Sequence, residues 1–198
     1  MNKLISQLQS SNPEIVRQAE KKLIKAVDLK YVAPLLSLYL SGNTGLTVVI
    51  SRYRKHYGRI NRLLIRKFKT SKRKHTREMA IWGLNDFLEK SSAPFLKKIA
   101  RKRVYLGFRT PALYALSNIL LYEAPETEDD VYELFVDAIN DRTTQIRAAG
   151  FTGLSHMRHH DTRELLARAF KDPDHLIRCN ALDWEAMRRG IYSGTKKA

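Results

Sequence analysis

Basic side chains recur at helical spacing in the middle of this sequence, and cations arranged in this way can hold an anion. Successive members are three, four and three residues apart, so an α-helix would place them in one stripe along its surface. We call this set the arginine stripe; it consists of Arg59, Arg62, Arg66 and Lys69. An apolar set is predicted to face the core from the opposite side of the same helix: Ile60, Leu63, Leu64 and Phe68.

Most of the positive charge of the chain lies around this stripe. The 198 residues carry a formal net charge of +16, and residues 51–110 alone contain 19 Lys or Arg and only 3 Asp or Glu. Residues 51–77 contain no acidic residue, so the stripe lacks the Glu–Lys pairs that normally support an exposed helix face. The pattern predicts a localised surface for a polyanion, with an ordinary solvated helix face as the alternative.

Further basic residues extend the candidate polyanion-binding set on both sides of the stripe. Arg52 and Lys55 continue its spacing upstream, unless Gly58 breaks the helix. A second group lies at the predicted start of the next helix, where each cation opposes the helix dipole at a cost of about 0.3–1 kcal/mol. Its members are Lys72, Arg73, Lys74 and Arg77. A third group lies near a predicted helix C-terminus, where a structural role explains cations nearly as well. Its members are Lys98, Arg101 and Lys102.

Residues 156–161 and the single cysteine carry the other side chains with potential metal or redox chemistry. The histidines at positions 156, 159 and 160 have a spacing that one metal ion can bridge, but no Cys or Glu supports them. The segment lies where a turn between helices is expected, so we predict a polar turn and no metal site. Cys179 is predicted to be a buried packing residue, and it has no partner for a disulfide. No phosphate-binding glycine loop or nucleophile elbow occurs, so no cofactor is expected.

Helical periodicity runs through most of the chain, whereas two-residue alternation is nearly absent, which predicts an all-α protein of short helices. One apolar helix face is formed by Val131, Leu134, Phe135, Ala138 and Ile139. Helix starts are predicted where a capping residue stands beside a proline. These sites are Asn12-Pro13, Thr110-Pro111 and Asp172-Pro173-Asp174.

An arginine followed by small residues recurs along the chain and indicates a repeat. The copies are Arg77-Ala80-Gly83-Leu84, Arg109-Ala112-Ala115-Leu116, Arg147-Gly150-Gly153-Leu154 and, more loosely, Arg178-Ala181-Trp184. Small residues allow paired helices to approach closely, while leucine fills the space between layers. A single helical hairpin cannot bury its apolar face alone, so the recurrence predicts stacked hairpins.

Residues 172–182 resemble the opening of a HEAT-like repeat, and residues 12–19 and 146–150 are similar to it. The resemblance covers roughly residues 12–190. It implies an all-α, right-handed α-α superhelix of about five to six HEAT-like helical hairpins with a concave binding face. A single domain over residues 1–198 is expected, with approximate units 1–42, 43–70, 71–104, 105–141, 142–175 and 176–198.

Trp82 and Asp86 are similar in spacing to part of a motif of the HEAT-like alkylpurine DNA glycosylases. In that family an aromatic cleft holds a cationic damaged nucleotide and an Asp supports loss of the base. The resemblance therefore implies these two residues as an alternative catalytic pair. Ile81 and Gly83 stand where the family pattern has its first Trp and its first Asp. Without catalysis, Trp82 is expected to pack between repeats and Asp86 to be solvated.

These features together predict a non-enzymatic HEAT-like binding module whose basic central repeats bind the phosphate backbone of DNA or RNA. The alternative is an adaptor that docks an acidic segment of a protein partner, and the third hypothesis is a DNA glycosylase. No apolar run approaches the roughly 20 residues of a membrane span, so no membrane partner is expected. The first residues also lack the apolar core of a signal peptide, and a cytoplasmic location is predicted.

Overall fold

The computed structural model describes residues 3–101, 106–124 and 128–189, and every regular element in these ranges is helical. The chain forms two compact units. The first unit, Met1–Glu89, contains α1 (Lys3–Gln7), α2 (Pro13–Ala26), α3 (Val32–Leu40), α4 (Thr47–Ser51), α5 (Tyr57–Thr70) and α6 (Lys74–Asp86). The second unit, Lys90–Ala198, contains α7 (Ala93–Arg101), α8 (Leu106–Tyr122), α9 (Glu128–Ile139), α10 (Thr144–Ser155), α11 (Arg163–Ala167) and α12 (His175–Arg188). The predicted all-α class is confirmed.

Short 3₁₀ turns connect or extend several of these helices, at Leu29–Tyr31, Thr44–Leu46, Arg54–His56, Lys90–Ser92 and Arg168–Lys171. None of the helices in the described ranges has both the length and the apolar character needed to cross a lipid bilayer. The single-domain assignment and its six approximate units stay predictions.

Capping side chains begin two of the helices as predicted, but a third predicted start is wrong. The Oδ1 atoms of Asn12 and Asp174 accept the amides two residues downstream, each at 2.9 Å, and so cap α2 and α12. In contrast, α8 begins at Leu106, and Pro111 lies inside it. Arg109 in the first part of α8 donates to the Ala100 carbonyl at 2.9 Å. This tertiary contact holds the residues before Pro111 in place despite the hydrogen bond that a proline removes.

Small residues of the repeat pattern lie at the closest contacts between helices. A Cβ atom on Gly153 of α10 would lie 2.3 Å from the ring of Phe135 in α9. In the first unit, a Cβ atom on Gly83 of α6 would lie 3.0 Å from Leu64 in α5 and 3.1 Å from Tyr39 in α3. The apolar face predicted for α9 is confirmed, since all five of its residues are buried. The small residues therefore allow neighbouring helices to pack at this distance.

Two repeat arginines of the second unit, Arg109 and Arg147, each bind an aspartate that lies shortly before the next repeat helix. Arg109 Nη1 contacts Asp141 Oδ2 at 2.7 Å. Arg147 binds Asp172 with two parallel hydrogen bonds of 2.8 and 2.9 Å, and both of these side chains are almost completely buried. Two-pronged contacts of this kind fix orientation as well as distance. The Arg–Asp contacts therefore set the register between successive repeats in this unit.

We expect Gly153→Ala to lower the free energy of unfolding by about 1–3 kcal/mol, because the added methyl group overlaps the buried Phe135 ring. The measurement is urea unfolding followed by circular dichroism. Gly58→Ala is the matched control, since nothing lies within 4 Å of its added Cβ atom. The control should be neutral or stabilising, because alanine favours a helix more than glycine does. Equal losses in the two variants would contradict this packing.

We also expect Asp172→Asn to be less stable at pH 7 and to lose less stability than the parent chain on acidification. Burial acts to raise the pKa of Asp172, but the Arg147 and backbone hydrogen bonds and nearby guanidinium charges outweigh it and lower the pKa. Stability from this carboxylate is therefore present above its unfolded pKa of about 3.9 and is lost as the pH falls through the folded pKa. Breaking a buried pair costs about 3 kcal/mol or more.

The measurement is the free energy of unfolding from about pH 7 down to about pH 3. Asp137→Asn, at an exposed position on α9, is the control and should follow the parent chain. An identical acid dependence in Asp172→Asn and the parent chain would contradict the assigned role of Asp172.

Candidate anion-binding surface

Helix α5 carries the arginine stripe, and its buried face differs from the predicted one at two positions. Ile60, Leu64 and Phe68 are buried as expected, whereas Leu63 is only half-buried and Asn61 is almost completely buried. One residue turns an α-helix by about 100°, so Asn61 lies about 60° and Leu63 about 100° from the centre of the Ile60–Leu64–Phe68 face. The prediction for Leu63 followed its apolarity and overlooked this angle.

Asn61 holds α5 in this rotation. Its side-chain amide donates to the Phe87 carbonyl at 2.7 Å and to the Tyr57 carbonyl at 3.0 Å. The first of these bonds joins α5 to the residue that follows α6, and buried hydrogen bonds of this kind are costly to lose. Asn61 was missed at the sequence level, although its position within the helical period could have identified it.

The arginine stripe is exposed on the opposite side of α5. Within the described ranges, the side chains of Arg59, Arg62 and Arg66 form no ion pair and no hydrogen bond. Together with Leu63 they line a concave region of about 320 Å³. A surface that combines one aliphatic side chain with three arginines can receive a ligand that is both anionic and partly apolar.

The predicted upstream continuation of the stripe is wrong, because the chain is not one helix from Arg52 onwards. Helix α4 ends at Ser51, and Lys55 lies in the 3₁₀ turn Arg54–His56. Gly58 does not break the helix, since it is the second residue of α5. Arg52 and Lys55 are nevertheless exposed and precede the stripe in the same unit.

Cations surround the start of α6, as the sequence predicted. Arg73 occupies the N-cap position without a side-chain capping bond. Lys74 lies 3.6 Å from Glu78 in an exposed ion pair. The guanidinium of Arg77 lies 4.5 Å from the centre of the Phe68 ring, in a cation–π contact. Lys72 and Arg73 therefore extend the exposed charge beyond α5, whereas Arg77 also has a packing role.

The remaining predicted basic residues belong to the second unit. Lys98 and Arg101 are exposed in the last turn of α7, where a cation interacts favourably with the helix dipole. Lys102 lies outside the described residues. The expected C-terminal placement of Lys98 and Arg101 is confirmed.

Trp82 and Asp86 both lie exposed on one side of α6, which was expected for Asp86 but not for Trp82. Trp82 is 39% exposed and does not pack away between repeats. The Asp86 carboxylate accepts a hydrogen bond of 2.8 Å from the Tyr39 hydroxyl of α3. Burial and the neighbouring Asp86 carboxylate together raise the pKa of Tyr39, so this hydroxyl stays a donor. Asp86 therefore ties α3 to α6.

Aromatic residues near the basic block are mostly unavailable for stacking on a ligand. Tyr53, Phe68 and Phe108 are buried, whereas Trp82 is 39% exposed. Tyr53 also donates to the Leu23 carbonyl at 3.3 Å.

The histidine-containing segment forms the predicted turn between α10 and α11. The buried carboxylate of Glu128, at the start of α9, accepts three backbone amides of this turn, from residues 158, 159 and 160, at 2.8–2.9 Å. His160 stacks on Tyr132 with ring centres 4.1 Å apart, and His156 bonds to Ser117 at 2.7 Å. The described ranges contain no group of three or more His, Cys, Asp or Glu arranged to hold a metal ion.

Cys179 is exposed, so its predicted burial is wrong. Its sulfur lies 3.4 Å from His175 Nε2, one turn earlier in α12. The prediction placed Cys179 on the same helix face as the small residues of the repeat pattern. Ala181 and Trp184 of that pattern are buried, whereas Cys179 is not on their side of α12.

Comparison with known proteins supports the fold. No protein-family model matches the chain. No curated protein matches it by sequence. Among solved structures, a designed armadillo repeat protein in complex with the peptide (KR)4 is similar, with a TM-score of 0.52 and 12% identity. The similarity covers 93% of this chain and 98% of the designed protein. The chain therefore has a helical-repeat fold of the α-solenoid type.

Proposed function

We propose that this chain is a non-enzymatic helical-repeat module that binds an acidic segment of a protein partner on the arginine stripe. The concave region at Leu63 carries the proposal, because the three arginines that line it are exposed and have no ion-pair partners in the described residues. Guanidinium groups bind carboxylates with paired hydrogen bonds, and Leu63 adds an apolar contact. A peptide can supply both chemistries from neighbouring residues.

The charge of the stripe indicates which peptides fit. The designed armadillo repeat protein holds a peptide of alternating lysine and arginine. The surface of the present chain is itself cationic across α5, so we infer a ligand of the opposite charge. Repulsion among the stripe residues is relieved when such a ligand binds, which favours the complex over the free protein.

Nucleic acid is the second candidate partner. Residues 51–77 contain 12 Lys or Arg and no acidic residue, which suits a phosphate backbone. Two observations favour the peptide instead. A phosphate backbone has no aliphatic side chain to place on Leu63, and most aromatic rings nearby are buried and cannot stack on bases.

We propose that the repeats are HEAT-like, on the strength of the recurring arginine and small-residue pattern. A cytoplasmic location is also proposed, because a single free cysteine suits a reducing compartment.

A DNA glycosylase is the third candidate function, with Trp82 and Asp86 as its catalytic pair. The hydrogen bond from Tyr39 to Asp86 already gives this carboxylate a structural role.

We expect the stripe to bind the acidic peptide (DE)4, and a version with a central leucine to bind more tightly. The combined variant Arg59→Glu, Arg62→Glu, Arg66→Glu should weaken binding of both peptides by at least about tenfold, because attraction becomes repulsion. Leu63→Ser should weaken binding of the leucine-containing peptide alone. Fluorescence anisotropy at about 0.15 M salt measures these affinities.

The matched control reverses three exposed charges on α2 in the same unit, as Lys21→Glu, Lys22→Glu, Lys25→Glu. It has the same net charge as the stripe variant and should retain most of the binding. Equal loss in both variants would show that only overall charge matters. Tighter binding of a short single-stranded DNA, unaffected by Leu63→Ser, would favour nucleic acid over the peptide.

We expect no release of alkylated bases from methylated duplex DNA, measured by chromatography of the freed bases. Should release occur, the glycosylase hypothesis requires Asp86→Asn to abolish it. Tyr39→Phe removes the same hydrogen bond but leaves the carboxylate, so it separates catalysis from structure. Release that persists in Asp86→Asn would exclude this residue as the catalytic group.

A further inference from the structure

One apolar position recurs in the repeats of the second unit and changes from buried to exposed at α12. The fourth residue after each repeat arginine is Leu113 in α8, Phe151 in α10 and Leu182 in α12. Leu113 and Phe151 are 0% and 2% exposed, but Leu182 is 66% exposed. The exposed leucine on α12 marks a repeat surface that the described residues leave uncovered.

The preceding repeat shows what covers this position. The Phe151 ring of α10 stacks on Trp184 of α12, with ring centres 5.3 Å apart. Trp184 also donates from its indole nitrogen to Thr152 at 3.1 Å. At the start of the same two helices, Thr144 donates to Asp174 at 3.0 Å. A large apolar side chain and a carboxylate ahead of the helix are thus the features that α12 brings to α10.

Arg178 repeats half of the contacts that Arg147 makes. Arg147 Nη1 donates to the carbonyls of residues 141 and 142, both at 3.1 Å, and Arg178 Nη1 donates to those of residues 172 and 173 at 2.7 and 2.8 Å. The Nε and Nη2 atoms of Arg147 bind the Asp172 carboxylate. The same edge of Arg178 has no hydrogen bond to any described residue.

Residues 190–198 supply no carboxylate side chain for this edge, since they contain no Asp or Glu. A second copy of the chain also fits poorly. In its first repeat, Ser10 occupies the position that corresponds to Asp172. The Ser10 hydroxyl accepts the Asn12 amide just as the Asp172 carboxylate accepts the Asp174 amide, and Ser10 offers no carboxylate. Neither the described residues nor the first repeat of a second copy therefore offers a carboxylate to this edge of Arg178.

We propose that the exposed side of α12, centred on Leu182 and Arg178, docks a helix of a partner polypeptide that carries an aspartate just ahead of the helix and a large apolar side chain on its contact face. The aspartate binds the Nε–Nη2 edge of Arg178, as Asp172 binds Arg147. The apolar side chain covers Leu182, as Trp184 covers Phe151. Leu176, which is 67% exposed, enlarges the apolar area. This surface does not depend on the arginine stripe, which belongs to the other unit.

The chain itself provides a probe of the required chemistry. A labelled synthetic peptide with the sequence of residues 159–189 contains the aspartate, the tryptophan and the helix that cover α10. We expect it to bind the full chain in fluorescence anisotropy. Arg178→Gln or Leu182→Glu in the chain, and Asp172→Asn in the peptide, should each weaken binding by at least about tenfold. Leu29→Glu, at another exposed leucine, is the matched control and should retain binding.

A fused form covers the case in which the free peptide does not fold. Residues 159–189 are duplicated directly after Arg189. The copy of Asp172 then follows Arg178 by the same number of residues as Asp172 follows Arg147. The duplicate should add helical circular dichroism and unfold together with the rest of the unit, and Arg178→Gln should weaken that coupling. A duplicate that stays unfolded, or that folds equally with Arg178→Gln and Leu182→Glu, overturns the proposal.

Two further measurements test whether a second copy of the chain occupies this face of α12 and whether this face is independent of the arginine stripe. Dimerisation of the parent chain in sedimentation, abolished by Leu182→Glu, would assign this face to a second copy and overturn the partner assignment. The variant Arg59→Glu, Arg62→Glu, Arg66→Glu should bind the 159–189 peptide normally, so failure of either proposal leaves the other intact.

Discussion

Close packing of neighbouring helices at one small residue per repeat is the constraint on which both units depend. Gly83 and Gly153 lie six residues after a repeat arginine, and a Cβ atom at either would press against a side chain of the neighbouring helix. Ala115 occupies the same position in α8 and is completely buried. In the first unit this packing sets α6 against α5, with Asn61 fixing the rotation of α5. The arginine stripe faces outward as a consequence.

Arginine therefore has two opposite roles in this chain, and burial separates them. Arg109 and Arg147 are nearly buried, and each is satisfied by an aspartate that lies shortly before the next repeat helix. Arg59 and Arg66 are exposed on α5, in a segment with no acidic residue. A buried guanidinium that loses its carboxylate partner strongly destabilises the fold. An exposed guanidinium is hydrated, so it can exchange water for a ligand at a small cost in free energy.

The two candidate surfaces differ in the chemistry they offer a partner. The arginine stripe presents several charges around one half-buried leucine, so its affinity should depend strongly on salt. The side of α12 presents an exposed leucine and one guanidinium edge, so its affinity should depend mainly on shape and apolar contact. Under the two proposals, one unit would hold an acidic segment and the other a helix, as an adaptor does.

The sequence by itself determined the features that local physics controls. Caps at Asn12 and Asp174, the apolar face of α9 and the recurring arginine and small-residue pattern all act within one or two turns of helix, and the all-α repeat fold follows from them. Only the tertiary structure decided that Cys179 is exposed and that Asp86 accepts a bond from Tyr39, 47 residues earlier. Those outcomes depend on which helices pack together, and residue spacing within one helix carries no information about its neighbours.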